Sequence, residues 1–442
     1  MFKHSARAVL FLAAVAAFAQ ADWKAGAAKL TITPNEPIRM AGFGFRERPS
    51  EGIRQDIYVR ALALQDANAK TSVLVTLDLT TVERQMADEI SAQCGQRYGL
   101  TRDRLVLNVS HTHSSPLAGL VLMPLYDLTP AERDVVRRYT AGLIAKTVDV
   151  VGVAIQNLAP ASLSFEQGLA GIAVNRRRVN QRSLPGPVDQ DVPVLAVRDG
   201  AGKLRALVVG YACHPTTLND YRISNDYPGY ALEALEKAHP GALAMFVQGC
   251  GADANALPRS GEELCRIRGA ILAAAVEQVL NGEMKPVSGP LRVAFETVDL
   301  PFHQFVSREQ LQKQLESGTK MYRATARYIL GTLDRDGKFP GHCSWPVQVW
   351  QFGNSLKFIA LGGDVVVDYS LRFKSQYGFD NTWVAGYSND MPAYIPSKRV
   401  LQEGGYEGGE SLIFFGHAGK FSAAVEEIVA EKVDELVERA AR

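Results

Sequence analysis

Two histidines stand one residue apart in the stretch SHTHSSP, Ser110 to Pro116. In extended backbone, residues two apart point to the same side, so His111 and His113 would face one space. Two imidazoles so placed suit a metal ligand with a neighbouring acid/base, or two ligands, and the same spacing also occurs in plain surface corners. A third histidine, His214 in YACHPTTLND, precedes Pro215, which removes a backbone donor and fixes the turn. In VQGCGADAN the glycines let the backbone approach a ligand closely, while Asp253 and Asn255 supply polar tips. Asp364 follows two glycines in ALGGDVVVDYSLRFK, whereas Asp368, further on in a helical stretch, reads as structural. Tyr394 lies in GYSNDMPAYIPS and Tyr406 in GGYEGGES. Two histidines and a carboxylate from separate segments make a catalytic zinc set with one position left open for water. Nucleophilic serine is less well supported: GxSxG does not occur, and Ser114 and Ser115 lack an identifiable base–acid pair. HExxH, the P-loop and GxGxxG are also absent from the sequence.

These groups need elements to position them. His111, His214, Asp253, Asp364 and Asn389 each follow an apolar, strand-like run, such as RLVLNVS before His111 and RALVVGYAC before His214. In open α/β sheets ligands gather beyond the carboxyl ends of strands, so five segments can converge on one cleft. Helical stretches separate the strands. One starts at Thr129, a capping residue, with Pro130 in the first turn, and another is the amphipathic FSAAVEEIVAEKVDELVERAAR. The alternation predicts an α/β fold with a sheet covered on both faces, in one large domain spanning 22–442. The segment Pro301 to His342 is more helical and more charged, and is expected to be an inserted subdomain.

Composition narrows the function classes. Lys+Arg 48 against Asp+Glu 47 leaves +1 over 442 residues, so no basic excess points to nucleic acid. Five cysteines without a CxxC exclude a disulfide scaffold and leave one or two bridges open. Residues 1–21 carry Lys3 and Arg7, an apolar run from Ala8 to Ala19, and AQA ending at Ala21. That is the three-part pattern of a secretory signal peptide, and the run is too short to span a bilayer. A secreted or periplasmic protein is expected.

Taken in order, SHTHSSP, YACHPTTL, QGCGADAN, LGGD and GYSNDMPAYIPS…GGYEGGES resemble the neutral/alkaline, non-lysosomal ceramidase family, in its N-terminal catalytic domain. Upstream, AGFGFRERPSEGIRQDIYVRALAL resembles that family's opening strand region. The resemblance implies mixed β-sheets flanked by helices, and a secreted or membrane-surface amidohydrolase that splits ceramide with one zinc ion. Carried over by position, it makes His111, His214, Asp364 and Tyr394 zinc ligands. It makes His113, Arg176 (in GIAVNRRRVN) and Tyr406 active-site residues, with Tyr406 polarising the substrate carbonyl. Asn255 stands where the family has a serine, and Asp364 where it has a glutamate. The chain reads as a short form without the family's C-terminal β-sandwich. The expected substrate is an N-acyl lipid amide, with contact at a membrane surface. A zinc hydrolase for another secreted amide or ester, such as a sugar or cell-wall derivative, and a non-catalytic binding protein on the same fold are the alternatives.

Overall fold

The computed structural model describes residues 22–120, 123–180 and 185–442. The expected leader, residues 1–21, lies outside the described residues. Mostly apolar strands build the centre. They are β1 Trp23–Thr31, β2 Tyr58–Gln65, β3 Thr71–Leu77, β4 Leu105–Val109, β5 Ala159–Leu169, β6 Asp191–Asp199, β7 Leu204–Tyr211, β8 Leu243–Gln248 and β9 Lys285–Val287. They form one mixed sheet in the order β8-β7-β6-β5-β1-β2-β3-β4, with β9 also paired to β5. Only the outermost pairs, β7–β8 and β3–β4, are parallel. A second sheet has the order β13-β12-β11-β10-β14, from β10 Leu291–Phe305, β11 His342–Phe352, β12 Leu356–Leu361, β13 Thr382–Ala385 and β14 Gly419–Phe421. In it only β12–β13 is parallel.

Side-chain alternation dictates how the layers stack. In β3, Val73, Val75 and Leu77 point to one face and Leu74 to the other. The first face carries helices α1 Arg84–Tyr98 and α2 Pro130–Gln156 at one end of the sheet, and α3 Asp226–Ala238 and α4 Glu262–Leu280 at the other. The opposite face meets the second sheet: Leu64, Phe165, Leu195 and Val208 share one core with Trp350, Phe352, Phe358 and Trp383. The outer face of the second sheet is covered by α7 Val367–Tyr377 and α8 Val425–Ala441. The result is a helix–sheet–sheet–helix sandwich. The large sheet is therefore covered on both faces, but by helices on one side and by a sheet on the other. Alternating strands and helices do not reveal this, because β10, β11 and β12 are as apolar as the strands they pack against.

Local signals act as expected where they are strong. Thr129 caps α2 in a reciprocal box: its hydroxyl accepts from Glu132 N at 3.2 Å, and its own N–H donates to Glu132 Oε2 at 2.8 Å. Between β10 and β11 run α5 Arg308–Ser317 and α6 Lys320–Asp336. Helix α6 leans on the loop Ala41–Arg46, so closely that a Cβ on Gly44 would fall 2.2 Å from Met321 Sδ. All five cysteines are buried and unpaired. Among the described residues no helix is long and apolar enough to cross a membrane.

Candidate metal centre

The carboxyl ends of β4, β7, β12 and β13 come together at one edge of the sandwich. Asn108, near the end of β4, ties three of the strand ends. Its Nδ2 donates to Gly386 O at 2.8 Å, and its Oδ1 accepts from Gln248 N at 2.9 Å. Asn108 has no exposure, so its amide bonds are made away from competing water.

His111 lies just past β4 with a φ of 61°. A left-handed residue breaks the extended course that the HxH spacing suggested, and such strain in a non-glycine residue persists only where the surroundings hold it. The two rings nonetheless meet, with His113 Nε2 3.2 Å from His111 Nε2. The His111 Nδ1 is 2.6 Å from Thr80 O, and the His214 Nδ1 is 2.7 Å from Gly251 O. A carbonyl can only accept, so both Nδ1 atoms carry hydrogen and both Nε2 lone pairs face inward. Asp364 Oδ2 lies 3.4 Å from each of those Nε2 atoms and has no hydrogen-bond partner. Burial alone would raise the Asp364 carboxyl, but His214 and His111, when charged, hold it well below the usual carboxylate range. Three inward lone pairs converge, with only the Tyr394 hydroxyl and the His113 ring near enough to an Nε2 to donate, and that donor set fits a cation. Histidines 111, 113 and 214 also form a group whose donor atoms lie within 4.8 Å of one another.

Tyr394 completes the wall. It pairs with Asp364 in a short parallel ladder, Asp364–Val365 against Tyr394–Ile395, and its hydroxyl is 3.4 Å from His214 Nε2. Arg176 Nη2 donates to Tyr394 Oη at 3.3 Å, and its Nε donates to Glu407 Oε1 at 2.6 Å. Tyr406 packs edge-on against Tyr394 with ring centroids 5.2 Å apart. Asn255 lies in a bridge to His214, and its Oδ1 accepts from Thr216 Oγ1 at 3.4 Å. The eight residues that the resemblance assigns to the site thus stand at or beside one centre.

Two further residues read as cleft-facing do something else. Asp253 accepts from Asn175 Nδ2 and from Val367 N, each at 3.0 Å, and braces the turn below the site. Asn389 accepts from Leu107 N at 3.1 Å and donates to Gln348 at 2.8 Å. Asp368 pairs with Arg399 at 2.7 Å, as a structural residue does. Burial pushes the Asp253 carboxyl up to about 6, against the backbone N–H of Val367. The native state then holds a proton that the unfolded chain releases at lower pH. This contribution to stability is present at low pH and is lost as pH rises through about 4 to 6. Urea unfolding of wild type and Asp253→Asn across that range should show the wild type losing on the order of 3 kcal/mol relative to the variant. A constant difference would mean that Asp253 is ionised throughout.

Sequence reasoning missed Glu407, which is buried and accepts from Arg176 and from Arg177 Nη1 at 2.7 Å. It stands directly after Tyr406, but nothing in a loop sequence marks which acid will fold inward. Tyr387 was missed as well. It is fully buried, and its hydroxyl donates to Asp364 Oδ1.

The model of the neutral/alkaline non-lysosomal ceramidase family, N-terminal, matches residues 23–255, which include His111, His113, Arg176, His214 and Asn255. The chain belongs to this family. Two solved ceramidase structures are similar over nearly the whole length. The crystal structure of neutral ceramidase from Pseudomonas aeruginosa matches with a TM-score of 0.74 at 20% identity, over 95% of this chain and 75% of that one. A ceramidase complexed with C2 matches with a TM-score of 0.73 at 18% identity, over 95% of this chain and 76% of that one. At these identities the likeness is one of fold. It extends the ceramidase architecture past residue 255, to the part of the chain that carries Asp364, Tyr394 and Tyr406.

Proposed function

We propose that this ceramidase-family chain is an exported, zinc-dependent amidohydrolase that cleaves an N-acyl amide, with a ceramide-like lipid as the substrate class. Membership places it among hydrolases of amide bonds. The convergence of His111 Nε2, His214 Nε2 and the unpartnered Asp364 Oδ2 carries the zinc reading. In it His111, His214, Asp364 and Tyr394 hold the ion. Zinc supplies an acidified water and a Lewis acid for the amide carbonyl.

The chain's own residues divide the remaining work. Tyr406 donates a hydrogen bond to the carbonyl oxygen as charge builds there. Arg176, held between Glu407 and the Tyr394 and Tyr406 rings, orients a polar group of the substrate. Burial, with His111 and His214 beside it, keeps His113 neutral, well below the usual histidine range. A neutral imidazole can take a proton and pass it to the leaving amine. Asn255 offers an amide donor and cannot act as a nucleophile.

Apolar side chains at the mouth support a lipid. Phe45 is 58% exposed and stacks on Phe43, whose ring meets His113 edge-on at 4.8 Å. On the other side Tyr406 continues through Phe414 to the exposed Tyr322 of α6. Such a rim suits contact with a lipid surface around the reactive centre. Purified protein should therefore release fatty acid from an N-acyl lipid in mixed micelles, and a chelator should abolish the release. Turnover of short polar amides with none of N-acyl lipids would assign the centre to a different secreted amide. Turnover of no amide or ester would make the chain a binding protein.

A further inference from the structure

Tyr387 follows β13 with a φ of 52°, a left-handed conformation that a bulky aromatic residue adopts only at a cost. The fold enforces it from two sides. Tyr387 N donates to Gly363 O at 2.9 Å, beside Asp364, and Tyr387 O accepts from Val109 N at 3.2 Å, beside His111. This single residue therefore links the carboxylate turn to the histidine strand. Its ring lies 4.6 Å from the His111 ring, centroid to centroid, and its hydroxyl donates to Asp364 Oδ1. The other carboxylate oxygen, Oδ2, is left without a partner and faces His111 Nε2 and His214 Nε2. An aspartate can otherwise rotate its carboxylate and exchange the two oxygens.

We propose that Tyr387 is the positioning residue of the metal centre. By occupying Oδ1 it presents Oδ2 alone to the ion, and its ring fixes the plane of the His111 imidazole. The inference rests on the zinc reading given above. It acts through Asp364, and this separates it from a merely structural role.

The test measures zinc affinity on the full chain by competition with a chromophoric chelator. Wild type, Tyr387→Phe, Asp364→Ala and the double variant are compared, with visible spectra of the cobalt-loaded forms. Tyr387→Leu, which also lacks the hydroxyl, runs in parallel so that a folding failure of one variant leaves the other to decide. Tyr387→Phe should weaken zinc binding by about 10- to 100-fold and shift the cobalt bands. In the Asp364→Ala background the same exchange should change affinity by less than about twofold, because the partner through which it acts is gone. An unchanged affinity for Tyr387→Phe, or an equal loss in both backgrounds, overturns the proposal while leaving the zinc reading intact. A wild type that binds no zinc overturns both.

Discussion

His214→Ala should bring bound zinc from about one per chain to well below one, and lower amide turnover by about a thousandfold or more. The residue has no exposure, and its ring is fixed from three directions. Nδ1 is bonded to Gly251 O, the backbone N–H donates to Ala254 O at 3.0 Å, and the ring lies nearly parallel to Tyr394 at 10°. An alanine there removes one inward lone pair and leaves a void that the surrounding strand ends are too constrained to fill. His111→Ala should act in the same direction. Metal analysis of the purified variants and a turnover assay check both. A thermal unfolding scan separates a lost ligand from a lost fold. Full zinc and full turnover in both variants would place the centre elsewhere.

His113→Ala should do the opposite to metal and nearly the same to rate. Zinc stays near its wild-type content, while kcat falls by about 10²- to 10⁴-fold, the range of a lost general acid–base. The argument is geometric. Asp364 Oδ2 is within 3.4 Å of His111 and His214, and the Tyr394 hydroxyl within 3.4 Å of His214. His113 Nε2 meets the His111 Nε2 at 3.2 Å, and among the described residues no ion-pair contact joins it to Asp364. It sits against Phe43, its backbone oxygen accepts from Arg46 Nη1, and a Cβ on Gly42 would strike its ring at 2.5 Å. This is a rigid seat at the substrate side of the pair. Loss of zinc from His113→Ala would instead favour the group of three histidines as the ligand set.

How far the sequence anticipates this site depends on what each residue needs. His111, His214 and Asp364 follow apolar strand-like runs, and the rule that ligands lie beyond strand carboxyl ends brings them together. The same rule also drew in Asp253 and Asn389, whose side chains turn to bond Val367 N and Leu107 N. Strand ends need polar braces as much as cofactors do, and residue type does not separate the two uses. The assignment of Tyr394, Tyr406 and Arg176 came from the family pattern, since tyrosines in glycine-rich loops are usually just packed. Tyr387 was out of reach because its role depends on a positive φ imposed by Gly363 and Val109, far apart in the chain. The face-to-face packing of two sheets was hidden for a related reason. Alternation shows that a strand is covered on both sides, but does not say by what.

The short ladder pairs Asp364 with Tyr394, two donors that the chain makes late, at a centre whose histidines it makes earlier. His111 lies near the first quarter of the sequence and Tyr394 near its last tenth. A growing chain therefore cannot assemble the four-donor set until almost all of it has emerged. Any ion held by a partial chain would meet imidazoles alone, without the carboxylate that balances its charge. Occupancy of the finished centre would thus signal that early and late parts of the chain have come together. An ion bound there would weigh against reopening, by about 2.7 kcal/mol when present at a hundred times its dissociation constant. In this reading the centre clamps the architecture as well as equipping it for chemistry.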